Sequence, residues 1–202
     1  QVLDTRVANV AIPHMQSALG ATPESVTWVL TSYIIASAVA TPLTGWLSDR
    51  IGRRELFILS VATFIFASML CGFAQNLEQM VFFRILQGIF GAFMAPLSQS
   101  VMLDITRPSK QSLVMSIWST GIMLGPIMGP LVGGWLTENW NWRFVFYINL
   151  PFGLIALAIL ISQLPKLPRV QRKFDMFGFV WLSIGLASLQ LLLDRGNHID
   201  WY

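Results

Sequence analysis

Charge is what this sequence has least of: Asp, Glu, Lys and Arg make up 11% of its 202 residues, where soluble chains carry about 25%. A soluble domain needs a charged shell around its core. Here 13 basic and 10 acidic side chains would have to cover a surface shared with eight Trp and fourteen Phe, and they do not suffice. A soluble enzyme and a disordered tail are both excluded. Cysteine is almost missing as well. Cys71 lies in an apolar run without a second thiol, which excludes a disulfide framework, and beside it His14 and His198 supply no metal site. The chain also lacks a glycine-rich phosphate loop closed by Lys-Ser or Lys-Thr, so ATP is not expected as a direct energy source.

Long uncharged stretches are there instead. The apolar fraction is 54% and the mean hydropathy +0.62. Uncharged runs cover Ser25–Ser48, Leu56–Leu77, Ile85–Leu103, Gln111–Thr137, Phe144–Pro165 and Met176–Leu193, the shortest 18 and the longest 27 residues. About 20 apolar residues cross a bilayer as a helix. Six runs predict six spans, and residues 1–13 read as the outer half of a seventh whose beginning lies upstream. Helices are expected at 1–13, 25–47, 56–75, 78–101, 111–136, 143–163 and 175–194, an all-α integral membrane protein.

The formal net charge of +3 and a pI near 9.4 raise the question of nucleic acid. The positions of the charges answer it. Arg50, Arg53, Arg54, Arg107, Lys110, Lys166, Arg169, Arg172 and Lys173 fall in alternate loops, while the other loops hold Arg143 and Arg195. This is a positive-inside pattern: it places the loops after the second, fourth and sixth spans in the cytoplasm, and no nucleic-acid partner is expected. Trp46, Trp118 and Trp181 then lie toward the inner ends and Trp28, Trp135, Trp140, Trp142 and Trp201 toward the outer ends, where indole prefers to sit. Short outer loops at 75–78 and 138–141 predict sequential helices packed as antiparallel neighbours. The longest inner linker, 164–174, contains Pro165, Pro168 and four basic residues, and suits a semi-extended connection on anionic lipid. It separates a bundle at 1–163 from a further helix and outer loop at 175–202.

Three features carry chemistry. In Gly45-Trp46-Leu47-Ser48-Asp49-Arg50-Ile51-Gly52-Arg53-Arg54, Gly45 admits a close helix, Gly52 permits a tight turn, and Asp49 can cap a helix or pair with an arginine. Such a loop can latch one cytoplasmic conformation; alternatively Arg50, Arg53 and Arg54 only set topology. Gly121, Gly125, Gly129 and Gly133 recur every four residues, with Pro126, Pro130 and Gly134 among them. The stripe allows packing at backbone contact and the prolines supply a kink, which suits a hinge or seal between two bundles, or else ordinary small-residue packing. Finally, Arg84 lies six residues from Glu78 and Asp4 nine from Pro13, about 9 and 13 Å below the outer surface at ~1.5 Å per residue. Charges inside a membrane cost several kcal/mol unless paired or hydrated, so both are expected to face the interior within reach of each other. Burial opposes the carboxylate's charge and the arginine supports it, a balance that lets Asp4 gain and lose a proton; a purely structural ion pair is the alternative. Arg6, about 200° around the helix from Asp4, either snorkels outward or enters a polar crevice. Trp28, Tyr33, Gln87 and Gln99 are candidates for a substrate cavity, although such residues are common on lipid-facing helices too.

The Gly45–Arg54 decapeptide resembles the signature loop between the second and third helices of the major facilitator superfamily. Arg84-Ile85-Leu86-Gln87-Gly88 is similar to its fourth-helix motif, with Phe90 where a small residue is usual, and residues 121–134 resemble its fifth-helix antiporter motif. Leu3-Asp4-Thr5-Arg6-Val7-Ala8-Asn9-Val10-Ala11-Ile12-Pro13, the stretch Asn141–Gly153 and Leu193-Asp194-Arg195-Gly196 narrow the resemblance to the fourteen-span EmrB/QacA subfamily of drug:proton antiporters, in which Arg6 replaces a small residue. The resemblance implies an N-terminal six-helix bundle of two inverted repeats plus the first of two extra spans, from a longer chain in a bacterial inner membrane. It also implies export of lipophilic or amphiphilic drugs by alternating access, driven by the proton gradient without a cofactor, and, for EmrB-type members, a periplasmic adaptor and an outer-membrane channel. A narrow metabolite transporter of the same fold is the alternative; a scaffold without transport has no use for Asp4 and Arg84.

Overall fold

A computed structural model of the chain describes residues 2–165 and 174–196. Most of the expected basic linker, and the outer loop with His198 and Trp201, lie outside the described residues. The described residues are helical, without a strand: α1 (Val2–Val10), α2 (Ile12–Ala18), α3 (Pro23–Val26), α4 (Trp28–Ala40), α5 (Leu43–Ile51), α6 (Arg53–Phe73), α7 (Leu77–Ile105), a 3-10 turn (Pro108–Lys110), α8 (Gln111–Asn139), α9 (Phe144–Tyr147), α10 (Asn149–Gln163) and α11 (Met176–Gly196). Five helical stretches among them are long and apolar enough to cross a membrane, and a bent pair makes a sixth.

That bent pair corrects the expected single helix at 25–47. Pro23–Ala40 and Leu43–Ile51 meet at 61°. Pro42 has no N–H to donate, and the hydroxyls of Thr41 and Thr44 add second hydrogen bonds to the carbonyls of Ser37 and Thr41, both at 2.7 Å, beside the break. Helix also continues past Pro13, because that proline occupies the first turn of α2, where no N–H is needed. By contrast α8 runs unbroken through Pro126 and Pro130. Both α6 and α7 outrun their uncharged stretches, at Arg53 and at Ile105, since a helix need not stop where the hydrocarbon does.

The packing order differs from chain order. The most extensive contacts join α4 to α7, α6 to α7, α1 to α8 and α10 to α6, with α11 against α4. Among these most extensive contacts, sequential packing describes α6 and α7. Short loops decide where helix ends meet, whereas glycines decide which surfaces can close. A Cβ at Gly88 would lie 2.6 Å from the Tyr33 carbonyl oxygen, and one at Gly133 3.1 Å from Val7 Cα. Two apolar cores result, one around Val7, Met15, Val29, Met80, Val145 and Phe146 and a smaller one around Ala40, Leu56, Phe93 and Leu97.

Candidate functional site: a buried charge cluster

Asp4 of α1 and Arg84 of α7 meet inside the first core, both fully buried, with Arg84 Nη1 2.9 Å from Asp4 Oδ2. Two buried charges are tolerated only when their remaining hydrogen-bonding capacity is also met. Gln87, one turn along α7, accepts from Arg84 Nη1 at 2.7 Å and donates to Asp4 Oδ1 at 3.2 Å. Asn149, at the start of α10, gives that same oxygen a further hydrogen bond. Its Nδ2 also donates to Ser68 Oγ of α6 at 2.9 Å, and Ser68 donates in turn to the Phe146 carbonyl at 2.9 Å. Arg84 Nε donates to the Val29 carbonyl at 3.1 Å, and the guanidinium lies 4.4 Å from the Tyr33 ring centre and 5.7 Å from that of Phe146. Arg84 Nη2 has no hydrogen-bond partner among the described residues, so the ring faces supply its nearest compensation. Cys71 Sγ completes the shell, 3.7 Å from Gln87 Oε1.

One carboxylate thus receives three donors and compensates one cation, and the network around it ties six helical segments together, α1, α4, α6, α7, α9 and α10. A proton on Asp4 would remove the charge that balances Arg84, so the two helices carrying the pair would lose their strongest reason to stay in register. The four neutral members were not assigned to the charge pair from sequence. Gln87, a substrate-cavity candidate by sequence, is fully buried in the cluster. Asn149 stood out as a lone amide in the Tyr147–Ser162 stretch and could have been read; Ser68 and Cys71 gave no such signal.

The other expected residues are dispersed. Tyr33 is buried against Arg84, Gln99 is exposed on α7, and Trp28 rims an apolar groove of about 480 Å³ between α4 and α7. Arg6 is exposed, with its Cβ side against Gly129 of α8. In the basic loop, expected on the cytoplasmic side, Gly52 has φ 111°, a conformation suited to glycine, and joins α5 to α6. Arg53 pairs with Asp104 at the end of α7, Arg54 Nη2 donates to the Ile161 carbonyl at 2.7 Å, and Arg50 lies 5.3 Å from the Trp46 ring centre. Gly45 and Asp49 border a small pocket against the start of α11. The glycine stripe divides: Gly125, Gly129 and Gly133 are buried, Gly129 and Gly133 directly under α1, while Gly121 and Gly134 have open space beside them. Pro126 and Pro130 are exposed. Among the described residues no group of three or more His, Cys, Asp or Glu is placed to hold a metal ion.

This arrangement, a multi-pass helical bundle joined through a buried Asp–Arg pair and turned at a glycine between two of its spans, is that of an integral membrane protein. The family model described as Major Facilitator Superfamily matches residues 1–196, and the chain belongs to that superfamily. It is 42% identical to the fatty acid resistance protein FarB of Neisseria gonorrhoeae and 40% identical to the multidrug export protein EmrB of Escherichia coli (strain K12), in each case over all of this chain and 40% of the relative. The chain thus spans about two fifths of the length of these curated relatives. Among solved structures, a D-xylose-proton symporter superimposes with TM-score 0.69 at 18% identity over 98% of this chain and 52% of that one. A peptide transporter does so with TM-score 0.71 at 15% identity, over 100% of this chain and 45% of its own. At such identities these two establish the fold.

Proposed function

We propose that this chain supplies the proton-coupling half of an exporter of lipophilic and amphiphilic compounds, a carrier and not an enzyme, working by alternating access in a bacterial inner membrane. The observation that carries the reading is the fully buried Asp4–Arg84 pair with its Gln87 and Asn149 donors. Ionised, Asp4 holds α1, α7 and α10 together; protonated, it releases Arg84 and permits the bundle to change partners. A proton taken from outside and discharged inward through this one carboxylate couples the gradient to export, with no cofactor. Relatives named for multidrug export and for fatty acid resistance support amphiphiles as cargo. The Arg53–Asp104 pair, with Gly45, Asp49, Arg50, Gly52 and Arg54 around it, serves as the cytoplasmic latch, and Gly121, Gly125, Pro126, Gly129, Pro130, Gly133 and Gly134 let α8 act as hinge or seal. Trp28 and Gln99 stay as cavity candidates, and a periplasmic adaptor with an outer-membrane channel completes the export route.

The test uses inverted vesicles carrying the full-length protein and an imposed pH gradient. Wild type accumulates an amphiphilic dye, Asp4→Asn does not, and Asp4→Glu retains part of the activity. Undiminished gradient-driven accumulation by Asp4→Asn overturns the proposal.

A further inference from the structure

On the expected cytoplasmic side α6, α7, α8 and α10 do not close on one another. They leave a cavity of about 710 Å³ walled by residues such as Phe57, Met94, Trp118, Gly121, Met128 and Leu160. Nothing lies within 4 Å of where a Cβ on Gly121 would stand, so the space is open at that wall. Trp118 and Met128 are ten residues apart on α8, so the wall runs about 15 Å along the helix. That is half of the ~30 Å hydrocarbon thickness, the depth of one leaflet. The Trp118 indole N–H is already satisfied by Ser98 Oγ at 3.0 Å. The cavity therefore offers its occupant an apolar lining and no free indole donor. Ile117, Leu124, Ile155 and Ile159, on α8 and α10 around it, are all more than half exposed, so the cavity is open at the surface of the described bundle.

Arg54 marks the cytoplasmic end. It precedes Phe57 by one helical turn, and its Nη2 is fixed to the carbonyl of Ile161, next to the wall residue Leu160. Arg54 Nε is shielded from solvent and has no hydrogen-bond partner among the described residues. The neighbouring Arg53 is engaged with Asp104. A chain-length apolar slot with a guanidinium one helical turn beyond its end, bonded through Nη2 alone among the described residues, matches an amphiphile with an anionic head.

We infer that this cavity is a binding site for an anionic phospholipid of the inner leaflet, one acyl chain lying between α8 and α10 and the phosphate at Arg54. An acyl chain gains little by leaving bilayer for cavity, so discrimination rests on the headgroup charge. The site shares no residue with the Asp4 cluster. It supports α8, whose same glycine stripe, further along at Gly129 and Gly133, carries α1.

The experiment places the full-length protein in nanodiscs containing a small fraction of phosphatidylglycerol or phosphatidylcholine with a diazirine on the acyl chain, followed by photolysis and peptide mapping. Adducts are expected on 118–128 and 156–160 in preference to the exposed stretch 177–193 of α11. Phosphatidylglycerol should label about fivefold better than phosphatidylcholine, the ratio for one cationic contact. Arg54→Gln brings that ratio to one, Arg54→Lys keeps it, and Gly121→Leu, which fills the slot, removes the adducts of both lipids. Labelling of α11 as dense as that of α8, or equal labelling by the two lipids in wild type, overturns the assignment. So does displacement of the label by a transported amphiphile, which would make the slot a cargo site.

Discussion

Gly88→Ala tests the packing on which the charge cluster stands. The added methyl would lie 2.6 Å from the Tyr33 carbonyl oxygen and 3.1 Å from Ala36 Cβ, against 3.4–4 Å for ordinary contact. The first neighbour is backbone and cannot rotate away, so α4 and α7 must part by about 0.8 Å, an overpacking that costs roughly 1–3 kcal/mol. The same displacement strains the 3.1 Å bond from Ser37 Oγ to the Gly88 carbonyl and, one turn along, the 3.1 Å bond from Arg84 Nε to Val29. Gly121→Ala is the control: its methyl meets nothing within 4 Å, and relief of glycine's backbone entropy should stabilise by roughly 0.5–1 kcal/mol. Thermal unfolding of the purified full-length protein should show Gly88→Ala melting below wild type and Gly121→Ala at or above it. Equal melting temperatures for the two variants would refute the close α4–α7 approach.

Further outcomes follow from the cluster and the loop. Asp4→Ala leaves Arg84 buried without its counter-charge, a loss of about 3–5 kcal/mol; adding Arg84→Met should recover most of it in a double-mutant cycle read by the same melts. Asn149→Ala takes one donor from Asp4 and one from Ser68, costing about 1–3 kcal/mol, and should weaken gradient-driven transport without abolishing it. The Arg53–Asp104 pair is one-third exposed, 34% and 33%, so Arg53→Ala should change stability by no more than about 1 kcal/mol. It should nonetheless lower transport and raise the accessibility of a cysteine introduced into the cytoplasmic loop, and the exchange Arg53→Asp with Asp104→Arg should restore both.

The spans were legible in the sequence because absence of charge over about 20 residues is set by the bilayer itself. Their ends were less so. The first turn of α6 carries Arg53, Arg54 and Glu55 beyond the uncharged run, and the break at Pro42 was visible but submerged in a continuous apolar stretch. Packing partners were not legible, since loop lengths leave open which glycine-bearing face meets which helix; Gly129 and Gly133 turned out to lie under α1. Within the site, Asp4 and Arg84 could be paired because charges are rare in membranes and their depths matched. Ser68 and Cys71 are unremarkable in sequence and join the cluster only because α6 packs beside α7.

The central claim is that Asp4 is the group whose proton is exchanged for cargo. Its most direct test is proton release on binding, with the purified full-length protein in weakly buffered solution and a pH indicator dye while an amphiphilic cargo is titrated in. The account predicts release in wild type and none from Asp4→Asn, although that variant still binds the cargo. Release of the same size from Asp4→Asn would contradict it.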